Sequence, residues 1–230
     1  QYNKSKDATQ NIIMVKPMKL YDQAFLTGCD KSHEWILPWF LKNLKKHTEV
    51  PIVFADFGLS ELGLKIVREN VHAVIDLSNV NESGWFKKPL SMYKCPAKKT
   101  VWLDTDCEVK DNIDDIFDLI EPNKLAMVED RPWTTRRGHL WHNSGVVGFI
   151  DKPIILSRWV EAIKKNKDQI GDQEVLDKLL TPITKIGAIT DLPNKYNVLR
   201  LQVEKDGYVG ETRIMHWTGP KGKEKIRSML

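Results

Sequence analysis

Through the first half of the chain, short apolar runs alternate with stretches of helical periodicity. Ala24-Phe25-Leu26-Thr27, Pro51-Ile52-Val53-Phe54-Ala55, Ala73-Val74-Ile75-Asp76-Leu77 and Thr100-Val101-Trp102-Leu103 read as buried strands. Between them fall a helix carrying Trp35, Ile36, Trp39, Phe40 and Leu44, a second over residues 60–70 and a third over residues 85–93. Repetition of strand and helix in this order implies βαβ units, hence an α/β chain with a mainly parallel sheet flanked by helices. Ligands of such sheets lie outside the carboxyl ends of the strands. Asp30, Asp56 and Asp104 all stand at those ends. Further on, residues 125–128 and 144–150 read as strands, residues 154–165 and 173–180 as helices, and residues 185–189 as a late strand. The segment after Tyr208 is rich in Gly, Pro and Lys, and that composition predicts a loosely ordered tail that closes over a bound ligand.

At 230 residues the chain is long enough for one well-buried domain, placed at residues 23–230, with residues 1–22 as a flexible lead or flanking element. No window approaches the ~20 apolar residues of a membrane span. The formal charge of +4 is mild, and no basic stripe with interleaved aromatics points to nucleic acid. Cys29, Cys95 and Cys107 show neither CxxC spacing nor an even number, so they read as buried free thiols. Free thiols favour a reducing, cytoplasmic setting slightly, and an excised lumenal domain fits as well.

Asp104-Thr105-Asp106 carries the chemistry. It follows an apolar strand directly, and on extended backbone residues two apart point the same way. Two carboxylates then converge on a hard divalent cation, which prefers oxygen ligands and often shares them with substrate phosphates. Without further context, a polar turn with a capping aspartate fits the triplet as well.

Val101-Trp102-Leu103-Asp104-Thr105-Asp106 resembles the hydrophobic–Leu-Asp-x-Asp signature of GT-A glycosyltransferases, especially glycosyltransferase family 8 and its glycogenin-like relatives. Other blocks fall in the family's order. Ala24 to Asp30 is similar to the first strand and its nucleotide-binding turn, and Trp85-Phe86-Lys87-Lys88-Pro89-Leu90 to the helix with a basic donor-binding residue. Asn143-Ser144-Gly145 resembles the Asn-x-Gly strand, and Asp172-Gln173-Glu174-Val175-Leu176 the Asp-Gln-x-x-Leu block. Leu192-Pro193-Asn194-Lys195-Tyr196-Asn197 resembles a Leu-Pro-x-x-Tyr-Asn segment, and His216-Trp217-Thr218-Gly219 the closing His-x-x-Gly motif.

The resemblance implies a metal-dependent transfer of sugar from a UDP-sugar donor to a carbohydrate or glycoprotein acceptor, with retention of configuration. It implies Asp104, Asp106 and His216 as ligands of Mn²⁺ or Mg²⁺, with Mn²⁺ favoured by the imidazole. Thr27, Gly28, Cys29, Asp30, Asp56, Lys88, Thr105, Asn143, Ser144, Gly145, Gly219 and Lys221 would line the donor site, with Asp172, Gln173 and Lys88 at the reaction centre. The family's lysine three residues after the last glycine is replaced here by Gly222, between Lys221 and Lys223. Taken as residues alone, Lys88 equally fits a solvated lysine beside Lys87. Asp172 and Gln173 equally fit a helix cap. Trp133, Arg136, Arg137, Trp141 and His142 suit either acceptor recognition or an ordinary packed loop.

Two other classes share parts of this pattern. A nucleotidyltransferase acting on sugar phosphates would have the sheet and the aspartates, but Thr27-Gly28-Cys29-Asp30 is too poor in glycine for its phosphate loop. A non-catalytic carbohydrate-binding module could keep the fold, and the intact acids and His216 speak against it.

Overall fold

The computed structural model describes residues 20–230. Within them the chain builds a seven-stranded sheet and a separate three-stranded one. The strands are β1 (Tyr21–Cys29), β2 (Ile52–Asp56), β3 (Ala73–Asp76), β4 (Ala97–Leu103), β5 (Cys107–Val109), β6 (Leu125–Glu129), β7 (His142–Ile150), β8 (Ile189–Asp191), β9 (Val198–Leu199) and β10 (Ile214–His216). The helices are α1 (Leu37–His47), α2 (Glu61–Asn70), α3 (Lys88–Lys94), α4 (Arg131–Arg137), α5 (Ile154–Lys165), α6 (Asp172–Lys178), α7 (Pro182–Ala188), α8 (Arg200–Lys205) and α9 (Gly219–Arg227).

The large sheet runs β3-β2-β1-β4-β7-β6-β8. It is mainly parallel, as the alternation of elements predicts, but β7 runs antiparallel to both β4 and β6. Successive side chains of a strand face opposite ways, and the core divides accordingly. Phe25, Phe54, Val101 and Leu103 pack with Leu37, Phe40, Leu44 and Val67 of α1 and α2. Leu26, Val53, Trp102 and Val147 pack on the other face with Met92 of α3, Trp159 of α5 and Leu176 of α6. Trp159 is fully buried, and its Nε1 donates to the carbonyl of Asp172 (2.9 Å), which pins the start of α6.

Several sequence expectations need correction. β1 begins at Tyr21, so Tyr21 and Asp22 belong to the sheet rather than to a lead, and residues 1–19 lie outside the described residues. Residues 182–188 form α7, and only Ile189–Asp191 is strand. The β-favouring Ile186 is overridden by Pro182 at the helix start and by Thr181 and Thr184, which cap it reciprocally. Ile183 and Ile186 stay exposed. The tail, expected to be loose, is instead ordered by pairing: β10 lies between β5 and β9, and α9 follows it.

Candidate active site

β4 ends at Leu103 and the chain turns at once. The Asp104 amide donates to the Gly145 carbonyl (2.8 Å) and the Cys107 amide to the Asp104 carbonyl (3.0 Å). The two aspartates therefore converge through a tight turn between β4 and β5, not through extended alternation. His216, the last residue of β10, pairs with Cys107 across the small sheet. Its Nε2 lies 3.2 Å from Asp106 Oδ1 and 3.8 Å from Asp104 Oδ2.

The inner oxygen of Asp104 is already held: Oδ1 accepts from Trp102 Nε1 (2.6 Å) and contacts Lys88 Nζ (2.9 Å). Its Oδ2 is the oxygen that approaches His216. Asp106 Oδ2 accepts from Lys223 (3.0 Å), leaving Oδ1 toward His216. One oxygen from each acid and one imidazole nitrogen thus face one another, a mixed oxygen–nitrogen donor set of the kind that suits a divalent cation. Among the described residues, ligand atoms of Asp106, Cys107 and His216 also fall within 4.8 Å of one another. Cys107 is the weaker candidate. Burial pushes its thiol well up, its Sγ already points at the Gly145 carbonyl (3.9 Å), and a hard cation prefers carboxylate to a protonated thiol.

Electrostatics tighten the cluster. Burial pushes the Asp106 carboxyl up, yet His216 and Lys223 outweigh it and hold the group well below the usual range. Burial pulls His216 down, yet Asp106 outweighs it and raises the imidazole. Lys88 is also buried, and burial opposes its charge, but Asp104 and Asp172 hold its ammonium above the ordinary value. Asp172 is 3.3 Å away through Oδ2 without a well-aligned hydrogen bond. Burial therefore prevails over Lys88 there, and the Asp172 carboxyl lies above its usual range. Lys88 also donates to the carbonyl (3.1 Å) and hydroxyl (3.2 Å) of Ser144, so it is a caged cation rather than a solvated one. Lys87 is not solvated either: its ammonium donates to the carbonyls of Phe57 (3.0 Å) and Leu77 (2.8 Å).

Two clefts meet here. One, of about 350 Å³, is lined by Gly28, Cys29, Asp30, Lys88, Asp104, Thr105, Asp106 and Lys223. The other, of about 290 Å³, is lined by Asp130, Trp133, Trp141, Asn143, Asp172 and Gln173 among others, and Trp85 borders both. Trp133 and Trp141 stack at 5.5 Å, and the Arg137 guanidinium lies over both rings. Ser144 and Gly145 lie beneath the clefts, Ser144 against Lys88 and Gly145 under the His216 ring.

Some residues singled out by the sequence do not join them. Thr27 is buried within β1 and lines neither cleft. Asp56 accepts from the amides of Gly58 and Leu59 (both 2.8 Å) and shapes its own turn. Gly219 and Lys221 are exposed outside both clefts. The lysine that reaches the acids is Lys223, because one further turn of α9 separates it from Gly219 and brings it back over Asp106. Asp130, Asn197 and Trp102 are the residues to which sequence reasoning gave no role of their own; Lys223 it named only as the lysine that, with Lys221, flanks Gly222. Asn197 closes a quoted motif, and Asp130 precedes Arg131-Pro132 in the manner of a helix cap, the one local signal it carries.

No protein-family model matches the chain, and no curated protein sequence matches it. Solved structures do. An active-site mutant of LgtC superposes with a TM-score of 0.61 at 15% identity, over 90% of this chain and 94% of that one. A second LgtC structure, a galactosyltransferase in complex with donor and acceptor sugar analogs, gives 0.58 at 17% identity over the same shares. The apo glycosyltransferase GlyE of Streptococcus pneumoniae gives 0.65 at 17% identity, over 86% of this chain and 55% of its own. Mouse xyloside xylosyltransferase 1 gives 0.55 at 14% identity, over 86% and 97%. The fold of this chain is the GT-A fold that these glycosyltransferases share.

Proposed function

We propose that the protein is a metal-dependent glycosyltransferase that takes a sugar from a nucleotide-sugar donor, a UDP-sugar in the first instance, and passes it to a carbohydrate or glycoprotein acceptor. The observation that carries this reading is the junction of two clefts at Asp104, Lys88 and Asp172, with Asp106 and His216 beside it.

Asp104, Asp106 and His216 would hold Mn²⁺ or Mg²⁺. When bound, the ion supplies Lewis-acid stabilisation to the departing nucleoside diphosphate. The chain's own residues do the rest. Lys223 stands at the mouth of the diphosphate side, where its charge can shift from Asp106 to a phosphate oxygen. Lys88 holds the Asp104 carboxylate in place and sets a fixed positive charge under the donor sugar. Asp172 and Gln173 face the cleft that an acceptor would enter. Trp133, half-buried at the lining of that cleft, offers an aromatic contact for a sugar ring there. Retention of configuration is part of the proposal and follows from the resemblance to family 8 alone.

Calorimetry with UDP, GDP and ADP, with and without Mn²⁺, tests the donor. UDP should bind only with metal and more tightly than the others. A panel of nucleotide sugars should then show Mn²⁺-dependent hydrolysis of one member. Metal-independent binding, or none, overturns the reading, and a preference for GDP overturns its uridine part.

A further inference from the structure

A chain of buried amides leads away from His216 and ends on a carboxylate that sequence reasoning did not notice. His216 Nδ1 lies 3.0 Å from Asn197 Oδ1. Asn197 Nδ2 donates to Asn143 Oδ1 (2.8 Å), and Asn143 Nδ2 donates to Asp130 Oδ2 (2.9 Å). All four residues are at most 7% exposed. The ends of this chain decide its direction. An ionised carboxylate only accepts, and a backbone N–H only donates. Asn143 is gripped by one of each: Asp130 takes its amide hydrogen, and the Gly145 N–H donates to its oxygen (2.9 Å). Asn143 therefore cannot turn over. Its fixed oxygen demands the NH₂ of Asn197, which leaves the Asn197 oxygen facing the imidazole. That oxygen demands a hydrogen on Nδ1, and the remaining nitrogen, Nε2, faces Asp104 and Asp106.

The same carboxylate has a second client. Gln173 Nε2 donates to Asp130 Oδ2 (3.1 Å), which turns Gln173 Oε1 to the Ser144 N–H (3.1 Å). Asp130 Oδ1 meanwhile caps α4 through the Trp133 amide (3.1 Å).

We propose that Asp130 is a positioning residue which, through Asn143 and Asn197, fixes His216 with its proton on Nδ1 and its Nε2 lone pair toward the metal position, while orienting Gln173 with the same oxygen. The metal half of this rests on the reading of the site given above; the orientation of His216 does not. Partners of this kind set the tautomer and raise the basicity of a ligating histidine, and their loss typically costs ~10–100-fold in metal affinity.

Asp130→Asn is the informative variant. Asparagine caps a helix as well as aspartate, so α4 should persist. Its amide nevertheless fails to serve both sides. If its oxygen caps α4, its NH₂ faces the amide groups of Asn143 and Gln173, donor against donor. If it turns, the cap is lost. Two measurements separate this proposal from the reading of the site. In metal-free protein, taken alkaline until the ring is neutral, ¹⁵N signals of His216 should show a protonated Nδ1 and an unprotonated Nε2. In Asp130→Asn the two signals should move toward each other. Mn²⁺ titration followed by electron paramagnetic resonance should show affinity falling about 10-fold or more in Asp130→Asn. In a His216→Ala background the same change should then add little, whereas a general loosening of the fold would weaken both backgrounds alike. If the wild type binds no Mn²⁺, the site reading fails and the nitrogen signals still decide the relay. A wild-type His216 protonated on Nε2, or signals unchanged in Asp130→Asn, overturns the relay. If Asp130→Asn does not fold, Asn197→Ala, which cuts the chain next to the ring, answers the same two measurements.

Discussion

At Gly145 a hydrogen atom is all that fits. A Cβ there would overlap the His216 ring at Cε1 and crowd the Asn143 oxygen. Gly145→Ala should therefore displace the imidazole from the two acids and lower Mn²⁺ affinity by about 10-fold or more, with the sheet retained because Gly145 is otherwise ordinary strand. Mn²⁺ titration beside circular dichroism checks this, and undiminished affinity would refute the packing argument. The neighbouring lysines divide by role. Lys87→Ala strands buried carbonyls and should cost about 1–3 kcal/mol of stability, read by denaturant unfolding, with turnover per folded molecule largely kept. Lys88→Ala removes the cation between Asp104 and Asp172 and should abolish most turnover. The paired shifts of Asp106 and His216 also fix a pH dependence. The raised His216 contributes stability that is complete below its unfolded value, ~6.5, and that fades as pH rises through its folded value. The depressed Asp106 contributes stability present above ~3.9 and lost as pH falls through its lower folded value. Metal-free protein should accordingly be less stable relative to His216→Ala at alkaline than at mildly acidic pH, and Mn²⁺ affinity should rise with pH as the competing proton leaves. Thermal melts of both proteins across pH 5–10 read the first effect. At this scale the acids and His216 were legible because motif spacing names them. Asp130 was not, because its part depends on two amides brought to it from elsewhere in the chain.

Elements of four or more apolar residues announced themselves, since burial on both faces leaves an unbroken run such as Ile52-Val53-Phe54-Ala55. Elements of two or three residues did not. β5, β9 and β10 are too short to show a period, and their existence follows from pairing with one another. Nor could the sequence give the direction of β7, because a strand buried on both sides reads alike in either sense. The error over the tail has the same root. Its composition predicts disorder, while the buried Ile214, Met215 and Ile226 and the close packing of Gly222 on the Trp217 carbonyl order it. This order brings Lys223, not Lys221, to the acids. Lys223 neutralises Asp106 and so competes with a cation for it. Lys223→Ala should leave Mn²⁺ alone binding at least as tightly as in the wild type, yet weaken UDP binding in the presence of Mn²⁺. Lys221→Ala should change neither. Calorimetry of the two ligands, separately and together, distinguishes this from a purely structural lysine, whose loss would lower both.

Seen whole, the candidate site collects residues from Gly28 in β1 to Lys223 in α9. Its closing piece is β10, which fits between β5, more than a hundred positions earlier, and β9. Contacts of such separation form slowly, since the intervening chain must first be organised. The histidine that completes the cluster is therefore expected to arrive after the large sheet has assembled. A cation held by Asp104, Asp106 and His216 would then find no partner at the barrier to folding and would add its weight afterwards. Mn²⁺ should lengthen the lifetime of the native protein, lowering the unfolding rate, and leave the refolding rate nearly untouched. Denaturant-jump kinetics with and without Mn²⁺ would show one limb of the chevron moving alone. A refolding limb that quickens with metal would mean that the small sheet forms early and guides the rest.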